Sequence, residues 1–366
     1  MRSNEILVVY GNKPKTMVKE ILNQVNLGAG EINPNALIGI KPNLVVAKPS
    51  SSGATTSPEL VAGVIEYLQE HGFQRIIIFE SSWIGERTSN AFRTCGYQEL
   101  AERYGVPLVD LKEDQYKEYE VKGTKIKVCN KALEVDYLIN IPVLKGHCQT
   151  KLTCALKNMK GCIPDSEKRR FHTLGLQKPI AYLNKLLKQN LIIVDGMMGD
   201  LDFEEGGNPV PMNRIIVGKD PVLIDAYAAE LLGYDLKEIP YITMAAEIGA
   251  GCADLANASI RELNQGLNTV IRPRSRKAEE LAEYVAEQNA CSACYGSLIH
   301  ALARLKEQGL LGQLDRKIYI GQGYRGKQGQ GIGVGRCAMG FEHHIDGCPP
   351  KAKEIIDFLI DRSLLK

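Results

Sequence analysis

Short apolar runs alternate along the chain with longer segments whose apolar residues recur at helical spacing. The runs Ile6–Tyr10, Leu37–Ile40, Arg75–Glu80, Val135–Pro142, Leu191–Asp195 and Arg214–Val217 have strand length and are rich in Ile, Val and Leu. Between them the clearest helix spans Pro58–His71. Ser57 stands at its N-cap, Pro58 at its first position, Glu59 in the first turn and Gly72 beyond its end. Val61, Val64, Ile65 and Leu68 form its apolar stripe. Ile180–Leu187 and Pro221–Leu232 read as further helices, with Asp220 capping the second. Strands separated by helices predict an α/β fold with a mostly parallel sheet flanked by helices.

A polar stretch with a proline, Arg272-Pro-Arg-Ser-Arg-Lys277, places a boundary at Asn268–Lys277. This divides the chain into an α/β domain (1–270) and a smaller C-terminal α/β module (278–366). The module reads as helix, CxxC, helix, strand, glycine-rich loop, strand, cysteine, GCPP and a last helix over Lys351–Leu365. No internal repeat is visible in the sequence.

In parallel sheets ligands gather beyond the C-terminal strand ends. Polar residues follow several runs there: Lys41-Pro-Asn43, Glu80-Ser-Ser82, Lys145-Gly-His147 and Asp195-Gly196. Lys145 and His147, with Lys157 and Asn158 of Leu156-Lys-Asn-Met-Lys-Gly161, form the densest cationic stretch. Such a set suits an anionic small molecule through charge-assisted hydrogen bonds, and His147 could give a proton near neutral pH. Asp195 is a candidate acid, base or metal ligand, and Asn43 could orient substrate through its amide. The plain alternative is solvated lysines and turn-forming residues. Arg169, Arg170 and His172 read as a charged loop, either a lid or plain surface. Cys148, Cys154 and Cys162 match no ligand spacing and read as small buried hydrophobes.

Cys291-Ser-Ala-Cys294 puts two thiolates one turn apart, and Cys337 and Cys348 follow after 42 and 10 intervening residues. Four thiolates meet the need of a 4Fe–4S cube, one per iron. Cys348 lies between Gly347 and Pro349, and Gly335 precedes Cys337 by two residues. Backbone N–H groups can thus approach the sulfurs without obstruction. Zinc ribbons usually pair two CxxC knuckles, and one is present here. Zinc, and four unrelated buried cysteines, are the alternatives. Gly321-Gln-Gly323-Tyr-Arg-Gly326 formally matches GxGxxG, but a dinucleotide site needs a helix to begin there. The glycines of 327–335 exclude a stable helix. The expectation is a hairpin whose second strand, Ile332–Arg336, delivers Cys337.

Composition changes the picture only by exclusion. The chain has 366 residues, 44% hydrophobic and 24% charged, with a formal net charge of +2. That charge gives no ground for a nucleic-acid or anionic-membrane partner. The N-terminal segment holds only a short apolar run, unlike a secretory leader, and no run nears the ~20 residues that cross a bilayer. The expected location is the cytoplasm. There, ten cysteines point to metal or redox chemistry rather than to a disulfide framework.

In order, Ile40-Lys-Pro-Asn-Leu44, Leu144-Lys-Gly-His147, Ala155-Leu-Lys-Asn-Met-Lys-Gly161, Asp195-Gly196, and Gly218-Lys-Asp-Pro221 with Asp225 are followed by CxxC and GCPP. This series resembles the "domain of unknown function 362" family over residues of roughly 35–235. The resemblance implies an association with ferredoxin-type clusters, and the cysteine region is similar to a terminal module of some members. It implies kinship without a named reaction. The ligands here spread over 58 residues, a departure from closely spaced ferredoxin runs that permits one cluster and not two.

The expected molecule is an iron–sulfur oxidoreductase. One 4Fe–4S cluster on Cys291, Cys294, Cys337 and Cys348 would face a cationic pocket. Electrons would pass to or from an anionic substrate, with His147, Lys145 and Asp195 catalytic and Lys41, Asn43, Lys157 and Asn158 binding. Four cysteines favour electron transfer over Lewis-acid chemistry. The alternatives are a non-redox transferase or lyase with a structural cluster, and an electron carrier without chemistry of its own. A redox partner protein and a homo-oligomer are compatible with the sequence. So is a flavin, although no motif asks for one.

Overall fold

Within the residues that the computed structural model describes (1–27, 32–265, 277–362 and 364), the apolar runs pair into one eight-stranded sheet. Its strands are β1 (Glu5–Tyr10), β2 (Ile38–Pro42), β3 (Ile76–Glu80), β4 (Leu108–Asp110), β5 (Tyr137–Ile141), β6 (Leu191–Asp200), β7 (Pro209–Gly218) and β8 (Ser259–Glu262). They lie in the order β8-β1-β7-β6-β5-β2-β3-β4. The run from β6 through β5, β2 and β3 to β4 is parallel, and β8 is parallel to β1. Strand β7 runs antiparallel to both neighbours, β1 and β6. The inner strands of the parallel run are buried on both faces, which is why Leu191–Val194 and Ile76–Phe79 are nearly unbroken apolar runs. The fold is the expected α/β arrangement, a mostly parallel sheet between helices.

The helices Pro14–Val25 and Pro58–Glu70 share a core with the sheet through Val18, Ile21, Leu22, Val61, Val64, Ile65 and Leu68. Ser57 does occupy the N-cap of the second, without a side-chain cap bond. Asp220 caps Pro221–Leu231 with its carboxylate, accepting from Val222 N at 2.8 Å and Leu223 N at 3.1 Å. Strand β6 continues past the expected end at Asp195 to Asp200, forming with β7 one long hairpin. Lys145–His147 and Lys151–Thr153 pair as a short antiparallel ribbon beyond β5.

The chain divides into two compact units, Met1–Glu167 with Gln177–Arg274, and Lys168–Leu176 with Ser275–Lys366. The boundary read at Asn268–Lys277 lies, up to residue 276, outside the described residues. Residues 168–176 go with the second unit: Ser292 N donates to His172 Nε2 at 3.4 Å, and Gln322 Nε2 to the Arg169 carbonyl at 2.9 Å. Arg169, Arg170 and His172 are helical, within Asp165–Thr173, rather than in a loop. Buried Phe171 is the apolar anchor that the charged sequence around it conceals.

The second unit has its own sheet: β9 (Val285–Glu287), β10 (Ile318–Ile320), β11 (Gly329–Val334) and β12 (Phe341–Ile345), in sequence order and all parallel. The expected hairpin is therefore not formed; β10 and β11 run in the same direction. Connections 321–328 and 335–340 are far shorter than an ordinary parallel crossover. Gly321 and Gly335 make this possible at φ 121° and 83°, each opening a 3-10 turn. A Cβ on Gly321 would stand 2.1 Å from the Gln288 carbonyl oxygen. A repeat emerges here that the sequence reading missed. Ile318-Tyr-Ile-Gly-Gln-Gly-Tyr-Arg-Gly326 and Ile332-Gly-Val-Gly-Arg-Cys-Ala-Met-Gly340 are one strand–glycine–turn unit, and strand pairing sets Ile318 beside Ile332. The copies share little beyond apolar strand positions and glycines. Tyr324 and Ala338, at matching positions, enter one small core with Phe341. The last helix is Ala352–Asp361; Leu365 lies outside the described residues.

Candidate functional site

Strands β2, β3 and β5 end at one edge of the first sheet and deliver Lys41, Asn43 and Glu80 together. Lys41 is fully buried, with Nζ donating to Glu80 Oε2 and the Pro42 carbonyl, both at 2.7 Å. Asn43 Nδ2 donates to Asn158 Oδ1 at 2.8 Å, and Asn158 Nδ2 to Asn140 Oδ1 at 2.7 Å. Lys145 Nζ donates to Asn43 Oδ1 (2.8 Å), the Ala54 carbonyl (2.5 Å) and the Glu204 carbonyl (2.7 Å). These three acceptors match the three N–H bonds of an ammonium group. Burial opposes that charge and brings the lysine down to about 7.

Lys157 Nζ reaches Glu204 Oε2 at 2.7 Å. His147 Nε2 stands 3.0 Å from the same oxygen, close but not aligned for a hydrogen bond. Burial opposes ionisation of Glu204, yet His147 and Lys157 overcome it and hold the carboxylate well below its usual range. His147 Nδ1 accepts from Gln149 N at 3.0 Å and Thr150 N at 3.1 Å, so the ring proton belongs on Nε2. Burial lowers this histidine to about 4. The ring is then neutral near pH 7, with its one proton on Nε2 beside Glu204.

The structure thus gathers Lys41, Asn43, Lys145, His147, Lys157 and Asn158 into one interior network, each at most 7% exposed. Asp195 is held apart, accepting from Ser57 N at 2.7 Å and Met197 N at 3.0 Å. It ties the start of Pro58–Glu70 to the sheet, and burial raises it to about 6. Asp225 does similar work for the Leu-Lys-Asn turn, accepting from Ala155 N at 2.6 Å and Leu156 N at 3.2 Å. Glu80, Glu204 and Asn140 were missed as partners. A signal existed for one of them: buried lysines require counter-charges, and Glu80 stood in a strand-end segment already singled out. Cys154 and Cys162 are buried as expected, and Cys148 is half-buried.

In the second unit, Cys291, Cys294, Cys337 and Cys348 line one cavity with Arg169, Gln322, Arg325 and Arg336. Its empty space, including the part open to solvent, is about 360 Å³. Cys291 caps the helix Ser292–Glu307, so the CxxC pair sits on that helix's first turn. Cys337 lies in the turn after β11, and Cys348 three residues beyond the end of β12. Burial, then the sulfurs of Cys291, Cys348 and Cys337, pushes the Cys294 thiol up. Arg325 Nε donates to Cys337 Sγ at 3.4 Å, and Gln322 Nε2 to Cys291 Sγ at 3.7 Å. Gly335 leaves the approach to Cys294 open; a Cβ there would lie 3.8 Å from its sulfur. Gln322 and Arg325 escaped the sequence reading because their segment reads as a glycine-rich linker.

The thiols share a cavity without closing on a point. Among the described residues no group of three or more His, Cys, Asp or Glu side chains is arranged to hold a metal ion. A tetrahedral zinc at about 2.3 Å from each sulfur would draw the sulfurs to about 3.8 Å from one another. Four thiols are a donor set that both a structural zinc and a four-iron core with one thiolate per iron would accept. The turn after Gly321 is not followed by a helix, as a dinucleotide fingerprint would require. Among the described residues no helix is long and apolar enough to cross a membrane.

The profile of the family described as Domain of unknown function (DUF362) matches residues 38–230. The thylakoid-associated protein sll1697 of Synechocystis sp. is 26% identical over 227 residues, which are 59% of this chain and 68% of that protein. Two solved structures are similar in part. The lactate racemase apoprotein from Thermoanaerobacterium thermosaccharolyticum aligns over 51% of this chain and 50% of its own, at 14% identity and a TM-score of 0.36. A structural-genomics protein from Thermotoga maritima aligns over 65% and 60%, at 15% identity and a TM-score of 0.38.

Proposed function

Since the chain belongs to the DUF362 family, whose description names no activity, its chemistry has to be read from its own side chains, and we propose that it is an iron–sulfur electron-transfer protein. One 4Fe–4S cluster is held by Cys291, Cys294, Cys337 and Cys348 and exchanges single electrons with a redox partner protein. The observation that carries this is the convergence of four thiols, spread over 58 residues, on one cavity. Cysteines packed together in this way repel as thiolates unless a cationic core compensates them.

The finer reading, an oxidoreductase acting on an anionic small molecule, rests on the positive charge of Lys41, Lys145 and Lys157 at the strand ends. Each of these lysines is engaged by acceptors of the chain itself. An anion would have to take the place of the Glu204 carboxylate to meet Lys157 and His147. That internal satisfaction favours the second reading, an electron carrier whose first unit is a scaffold.

Iron, acid-labile sulfide and the visible spectrum of anaerobically purified full-length protein test the proposal, followed by a redox titration. The expected result is roughly four iron and four sulfide per chain with a reversible one-electron transition. Stoichiometric zinc, or protein without iron, rejects it. Reoxidation of the reduced protein by a small organic anion, and its loss in Lys157→Met, would separate oxidoreductase from carrier.

A further inference from the structure

The four strand ends of the second unit are not equivalent. Strand pairing sets Glu287, Ile320, Val334 and Ile345 side by side at one edge of the sheet. Three of the turns that follow bring thiols: Cys291 with Cys294 after β9, Cys337 after β11 and Cys348 after β12. The turn after β10 has Gly323 where its copy has Cys337. It offers the cavity two hydrogen-bond donors instead. Gln322 Nε2 donates to Cys291 Sγ at 3.7 Å and is oriented by the Arg169 carbonyl at 2.9 Å. Arg325 Nε donates to Cys337 Sγ at 3.4 Å. Tyr324 fixes the turn between them, packing edge-on against Tyr319 and Phe341 with ring centroids 5.5 Å apart.

The geometry points to this turn as the element that sets the reduction potential of the bound cluster, with Arg325 as its principal residue. The inference rests on the cluster reading. Taking up one electron, from a redox partner or a chemical reductant, adds one negative charge to the core and its thiolates. An N–H donor and a guanidinium charge at a ligand sulfur stabilise that more negative state above the oxidised one, and so raise the potential. Arg336 belongs to the same rim but lies 3.6 Å from Asp346, which offsets its charge. Of these two arginines, Arg325 is the one bonded to a sulfur.

The test compares anaerobic redox titrations of wild-type protein with Arg325→Gln, Arg325→Lys and Arg336→Gln, each with iron and sulfide measured. Arg325→Gln should keep its iron and shift the reduced-to-oxidised ratio at fixed potential by about tenfold, ~59 mV downward for a one-electron couple. Arg325→Lys, which keeps the charge and loses the planar fork, should shift less in the same direction. Arg336→Gln should shift least. Should Arg325→Gln lose its cluster, Arg325→Lys carries the measurement. A fully loaded Arg325 variant at the wild-type potential, or an equal shift in Arg336→Gln, overturns the assignment and leaves the cluster standing. Wild-type protein without iron and sulfide removes both.

Discussion

The two units solve the problem of buried polar chemistry in opposite ways. In the first, every lysine of the strand-end network meets a glutamate, an amide or a carbonyl of the same chain: Lys41 with Glu80, Lys157 with Glu204, Lys145 with three neutral acceptors. In the second, four thiols face each other around a shared space, with two side-chain donors at their sulfurs. A charge network closed by its own counter-ions is a finished structure, whereas converging thiols gain most from a guest. Density of titratable residues alone therefore does not mark a site. What matters is whether the chain itself supplies their partners.

The sharpest break of this comparison is Cys294→Ser. It should abolish the cluster, taking iron from about four per chain to near zero, while leaving the secondary structure of the first unit intact by circular dichroism. Next comes Glu204→Ala, which strands Lys157 and His147 without their carboxylate. A cost on the order of 3–5 kcal/mol in chemical denaturation is expected for breaking a buried pair, with iron content unchanged. Loss of iron in this variant would mean that the two networks are not independent.

A smaller effect concerns pH. Burial holds Asp225 at about 7, above its ordinary 3.8. The folded chain then binds this proton more tightly than the unfolded one. The resulting stability is fully present below 3.8 and is lost as pH rises through about 7. The difference in denaturation midpoint between wild type and Asp225→Asn should therefore change across that window and be flat above it. A constant difference would show that the carboxylate is not titrating there. Smallest of all, the His147 ring resonances should stay fixed from pH 8 to pH 5 in NMR, since burial keeps its pKa near 4. A transition near 6.5 would place this ring in contact with solvent.

Much of the first unit was legible from apolar runs because double-sided burial writes itself into a parallel strand as an unbroken apolar string. Lys41, Asn43 and Lys145 were found for a related reason: polar residues directly after such strings stand at a sheet edge. Their role was not legible. Whether a lysine faces solvent, substrate or a glutamate 39 positions away depends on which loops fold over it, and no local pattern encodes that.

The parallel course of β10 and β11 was hidden for a different reason. Glycine permits both a hairpin and a same-direction coil, and the choice falls to pairing with the flanking strands, Val285 with Ile318 and Val334 with Ile345. By itself the sequence determined the fold class, the residues at the strand ends and which four thiols to look for around one cavity, because each is written in residue type and local spacing. Only the tertiary structure decided that the lysines are internally neutralised and that a cysteine-free turn delivers Gln322 and Arg325 to the sulfurs. Those outcomes depend on distances between segments far apart in the chain, where register and burial are settled by the whole fold at once.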